Sequence, residues 1–77
     1  MTVLEAVRDR LCAVMKDKKI IPNQICINGG IAKSTISQIL NLKQQKITVD
    51  ILHQILSTIG MSFKDFFDDP IFDEISD

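Results

Sequence analysis

The stretch Pro22-Asn23-Gln24-Ile25-Cys26-Ile27-Asn28-Gly29-Gly30-Ile31-Ala32-Lys33-Ser34-Thr35-Ile36-Ser37-Gln38-Ile39-Leu40 decides the fold. Its spacing predicts a short helix over Pro22 to Asn28, a tight turn through Gly29-Gly30-Ile31, and a second helix over Ala32 to Leu40. Proline suits the first position of a helix, where its missing N–H costs nothing. The two glycines stop that helix and supply the positive φ of a sharp turn. On a wheel of 100° per residue, Ala32, Ile36, Ile39 and Leu40 are expected to point inward. Ser34, Ser37, Gln38 and Asn41 point outward, with Lys33 and Thr35 on the flanks. An ordinary solvated face carries Lys, Glu and Arg in compensating pairs. This one offers small uncharged groups that both donate and accept hydrogen bonds.

Outward from this stretch, the chain reads as further helices. Thr2 with Glu5 three residues on is a capping box. The helix it opens carries Leu4, Val7, Leu11, Val14 and Met15 on one stripe and runs to about Lys18. The lysines 16, 18 and 19 suit its negative C-terminal end. After a polar connector from Asn41 to Ile47, Thr48 caps a helix whose apolar stripe is Val49, Ile51, Leu52, Ile55, Leu56 and Ile59. His53 falls at its edge, and Gly60 ends it. A short helix follows from about Phe63 to Phe67. Asp69 and Pro70 can then open a last turn holding Ile71, Phe72 and Ile75. The expected fold is all-α and compact, with one folded unit over residues 1–67 and an acidic, apolar tail over 68–77.

Size and composition narrow the functions. A chain of 77 residues buries only roughly 60% of its unfolded surface, which makes oligomerisation an expectation. No apolar run approaches the roughly 18 residues that span a bilayer, and no signal peptide is evident. A cytoplasmic location is expected, with Cys12 and Cys26 as free thiols. One histidine, two separated cysteines and no nucleophile–base pair point away from metals, cofactors and catalysis.

The net charge of −1 hides a strong asymmetry. Residues 1–20 hold five Lys or Arg against three Asp or Glu, and 21–46 hold Lys33, Lys43 and Lys46 with no acid. Residues 47–63 hold only Asp50, while 64–77 set Lys64 against six acids. A basic working face and an acidic far end are expected.

Two stretches carry a family resemblance: Gly30-Ile31-Ala32-Lys33-Ser34-Thr35-Ile36-Ser37-Gln38-Ile39, and Thr48-Val49-Asp50-Ile51-Leu52-His53-Gln54-Ile55 through Gly60-Met61-Ser62-Phe63. Over about residues 4–67 the chain resembles the Cro/phage-repressor (XRE-type) helix-turn-helix domain. That resemblance implies a five-helix lambda-repressor-like fold with Ala32–Leu40 as the recognition helix in the major groove. It implies a small transcriptional regulator, a repressor by family analogy, binding double-stranded DNA as a homodimer on a pseudo-palindromic operator. Lys33, Ser34, Thr35 and Gln38 match positions that reach base edges. Ser37, Asn41 and Lys43 match positions near phosphates.

The chemistry of these residues agrees with those roles. Gln38 can pair bidentately with adenine, Lys33 can donate to guanine, and the Thr35 methyl can pack on thymine. Backbone N–H groups of Asn23 and Gln24 at a helix start can hold a phosphate, and Lys46 adds to the electrostatic term. Dimer contacts are expected on Phe63, Phe67, Ile71, Phe72 and Ile75.

The chain also departs from the family pattern. Pro22 stands where the family often has a phosphate-binding Gln, and Ala32 stands at a cap usually held by Ser or Thr. Met15 and Leu40 replace a frequent Arg–Glu pair, which predicts that these two side chains touch. The alternative reading is an antitoxin or adaptor-type protein-interaction module on the same fold, its acidic tail serving a basic partner. The two readings diverge at Lys33 and Gln38, whose loss matters only if bases are read.

Overall fold

In the computed structural model, residues 1–41 and 46–76 are described, and the chain folds as five α-helices followed by a 3-10 helix. They are α1 (Val3–Lys18), α2 (Pro22–Gly29), α3 (Lys33–Leu40), α4 (Val49–Ile59) and α5 (Phe63–Phe67), with the 3-10 helix at Pro70–Glu74. No strand occurs among the described residues. None of the helices is long and apolar enough to cross a membrane.

Local chemistry sets the boundaries. Thr2 Oγ1 accepts from the Glu5 N–H at 3.1 Å, and the Glu5 carboxylate accepts from the Thr2 N–H at 2.8 Å, closing the capping box of α1. The Thr2 N–H first, and the Thr2 side chain after it, hold the Glu5 carboxyl below its ordinary value. Thr48 and Ser62 cap α4 and α5 through their hydroxyls, and Asp69 accepts from the Ile71 N–H at 2.9 Å. Gly60 ends α4 in the left-handed conformation at φ 74°. Lys19 ends α1 at φ 57° without being glycine. Its neighbour Ile20 donates to the Met15 carbonyl and packs on the core, which anchors the strained turn.

The core joins all five helices. Val7, Leu11, Val14 and Met15 meet Ile25 of α2, Ile36 and Ile39 of α3, Leu52, Ile55, Leu56 and Ile59 of α4, and Phe66 of α5. Ile31 plugs the space beneath the α2–α3 turn. Met15 is buried and Leu40 is partly buried against the same cluster, with α1 packed on α3. Such a core is what holds α2 and α3, since helices of eight residues do not persist alone.

Several expectations are corrected. Ala32 is not on the apolar side: it is the exposed N-cap of α3, in extended backbone at φ −60° and ψ 135°. The second helix of the pair therefore starts at Lys33. Val49, placed in the apolar stripe of α4, is 71% exposed, because it is the first helical residue and the buried run begins only at Leu52. Leu4 is half-buried, and Ala6 takes a core place instead. The helix α2 includes Gly29, so Gly30 alone supplies the positive φ, at 64°.

Gly29 has a different reason to be glycine. A Cβ there would run into the Thr58 side chain of α4, and its carbonyl accepts from Gln54 Nε2 at 3.0 Å. The glycine thus lets α4 approach the end of α2 closely and fixes the turn from behind.

Candidate nucleic-acid interface

The outer surface of α3 follows from its sequence. Ile36 and Ile39 are buried, Thr35 and Leu40 are half-buried, and Lys33, Ser34, Ser37, Gln38 and Asn41 are exposed. The apolar underside pins the helix, and the polar side chains are left on top. Ala32 gives the helix no side-chain cap, so its first N–H groups remain available to solvent or to an anion.

Four of the expected site residues share one cleft between α2 and α3. Asn23, Lys33, Ser37 and Asn41 form its polar members, over Pro22, Cys26, Ile36 and Leu40. Asn41 Nδ2 donates to the Ser37 carbonyl at 2.8 Å and to Ser37 Oγ at 3.2 Å. With its lone pair used in this way, the Ser37 hydroxyl keeps its hydrogen for an outside acceptor such as a phosphate oxygen. Lys33 has no ion-pair partner among the described residues, so its charge is uncompensated. Thr35 and Gln38 lie towards the other edge of the helix, and Gln38 has an interaction of its own. Lys46 is exposed just before α4, while Lys43 lies outside the described residues.

Gln24 does not join this cleft. Its N–H donates to the Ile21 carbonyl at 3.1 Å, and its side-chain oxygen accepts from the Ile21 N–H at 2.9 Å. Both contacts serve the start of α2, so its backbone donor is already committed. Gln24 instead borders a second cleft with Lys18, Lys19 and Asn28 on the other flank of α2. That arrangement brings two of the lysines ending α1 beside α2 on the side where it meets α4, away from the α2–α3 cleft.

The charge balance inferred for residues 1–20 needs a correction. Arg10 does not face outward with the lysines. Its Nε donates to the Phe66 carbonyl at 2.8 Å and its Nη2 to the Asp65 carbonyl at 3.0 Å, while Nη1 pairs with Asp69 at 3.4 Å. Arg8 is paired with its neighbour Asp9 at 2.6 Å. Arg10 is consumed in holding the fold and Arg8 in a pair with its own neighbour, and the basic character near α2 and α3 rests on lysines.

The residues expected at a dimer contact gather at the other end of the chain. Phe63 and Phe72 are half-buried against the core, Ile71 and Ile75 are half-buried, and Phe67 is 43% exposed. The tail packs on α1, held by Arg10 and by the Ser76 N–H donating to the Met1 carbonyl at 3.0 Å. His53 is exposed on α4, 5.6 Å from the Phe63 ring. Cys12 and Cys26 are free thiols.

Comparison with protein-family models, with curated proteins and with solved structures gave no match.

Proposed function

We propose that the chain is a lambda-repressor-like helix-turn-helix protein that binds double-stranded DNA in a sequence-specific manner and represses transcription. In this reading α2 and α3 are the paired helices and α3 enters the major groove. One observation carries the proposal. The exposed surface of α3 is a row of hydrogen-bonding side chains, with a single uncompensated cation, on a helix fixed from below by Ile36 and Ile39.

Rigid support matters because base edges are discriminated by hydrogen-bond geometry, and a mobile helix would average it away. Lys33, Ser34, Thr35 and Gln38 are the base-reading set. Asn23, Ser37, Asn41, Lys43 and Lys46 serve the phosphates, and Lys18 and Lys19 add to the positive field from the other flank of α2. Two copies would occupy the half-sites of a pseudo-palindrome, roughly 34 Å apart on one face of the duplex. Phosphate neutralisation by these lysines makes affinity fall with salt.

Selection of bound duplexes from a randomised library tests the reading. A symmetric consensus with binding weakened by salt is expected. Recovery of no consensus, or binding indifferent to ionic strength, contradicts it.

A further inference from the structure

The four phenylalanines of the chain all lie within residues 63–72 and are linked by ring contacts that meet at Phe67. Phe66 is fully buried and is their root. Phe67 meets Phe63 at 6.3 Å, Phe66 at 5.2 Å and Phe72 at 4.9 Å between ring centroids. At 43% exposure it is the point where this aromatic cluster reaches solvent. The exposed acids Asp65, Asp68, Asp73 and Glu74 stand in the same short segment. None of these four has an ion-pair partner among the described residues, since Arg10 takes only Asp69.

The surface is also pre-formed. The Arg10 fork on the Asp65 and Phe66 carbonyls fixes the end of α5, and its pairing with Asp69 fixes the start of the 3-10 helix. A partner would meet an ordered aromatic face and would not have to order it.

We infer that this face docks a basic segment of another protein, one that sets an aromatic or aliphatic anchor against Phe67 between flanking Lys or Arg residues. The charge selects the occupant. A two-fold contact between copies, the arrangement expected from the sequence for Phe63, Phe67 and Phe72, would press together two patches of the same net negative charge, with Lys64 as the one exposed cation of each segment. Nucleic acid and anionic lipid are repelled for the same reason. A cationic segment gains both the apolar contact and electrostatic steering. Phe67 belongs to α5, which packs on α4, whereas α3 packs on α2 and α1. The inference therefore does not rest on DNA binding, and neither surface borrows residues from the other.

The test pans the full chain against random 12-residue peptides displayed on phage, then titrates a synthetic enriched peptide into isotope-labelled protein. Enriched sequences should place Lys or Arg around an aromatic or leucine. The titration should move the amide signals of Phe63, Phe67, Asp68 and Phe72 and leave Lys33 to Gln38 still. The exposed double variant Asp68→Lys/Asp73→Lys should keep the fold and bind the peptide about tenfold more weakly. The inference is overturned if no peptide enriches, if enriched peptides lack basic residues or map elsewhere, or if the double variant binds them undiminished. It is also overturned if sedimentation finds the chain dimeric with the dimer lost in Phe67→Ser.

Discussion

On α3 the work is divided between two faces of one helix: Ile36 and Ile39 hold it, and the exposed Lys33, Ser34, Ser37, Gln38 and Asn41 are left on the surface. At the C-terminal end the division is different. There a long polar side chain from α1, Arg10, does part of the holding, and an aromatic side chain, Phe67, is what remains exposed. The first arrangement is periodic and local. The second depends on groups 55 and 56 residues apart in sequence. A helix built the first way can change its outer residues freely without losing its place, whereas the C-terminal end is loosened by the loss of one half-buried polar side chain, Arg10.

Substitutions that attack each arrangement should separate the two. Phe66→Ala empties the root of the aromatic cluster and should cost about 3–5 kcal/mol, read by urea denaturation. That is enough to unfold much of a domain this small at room temperature. Arg10→Ala should cost roughly 1.5–3 kcal/mol, because it strips charged hydrogen bonds from the Phe66 and Asp65 carbonyls. Arg10→Lys should recover little of that loss, since an ammonium cannot present the planar fork.

Gly29→Ala probes the support behind α3. The new methyl meets the stiff Thr58 side chain, and overpacking of this kind costs about 1–3 kcal/mol. Adding Thr58→Ala should return most of the lost stability, a coupling that a double-mutant cycle reads directly.

The smallest effect belongs to Glu5. Its carboxyl is held below the ordinary value chiefly by the Thr2 N–H. The stabilisation is therefore fully present above the unfolded carboxylate value and is lost as pH falls through the lowered folded one. Glu5→Gln keeps a capping acceptor but cannot titrate. Thermal unfolding between about pH 3 and 6 should show a shallower acid decline for the variant than for the parent.

The contrast also explains what could be read from the chain. Capping signals at Thr2, Thr48 and Asp69, and the stops at Gly30 and Gly60, are local, so these helix ends were legible within a residue or so. The faces of α3 were legible from Lys33 onward because periodicity dictates them. Ala32 was misplaced because a wheel angle has no meaning for a cap in extended backbone. Arg10 gave no sign of its role, because backbone carbonyls leave no signature in a sequence. Counting it with the lysines overstated the basic face. Gly29 was read as turn chemistry but lies inside α2, and the reason it is glycine, its tight approach to Thr58, belongs to tertiary packing.

The central claim is that the outer surface of α3 reads base pairs, and it is tested most directly by comparing the parent chain with Lys33→Ala and Gln38→Ala on a selected duplex and on a scrambled one. Each variant should keep its thermal stability, lose roughly 1–3 kcal/mol of affinity for the selected duplex, and bind the scrambled duplex much more nearly as the parent does. Variants that fold normally and still distinguish the two duplexes as well as the parent would contradict it.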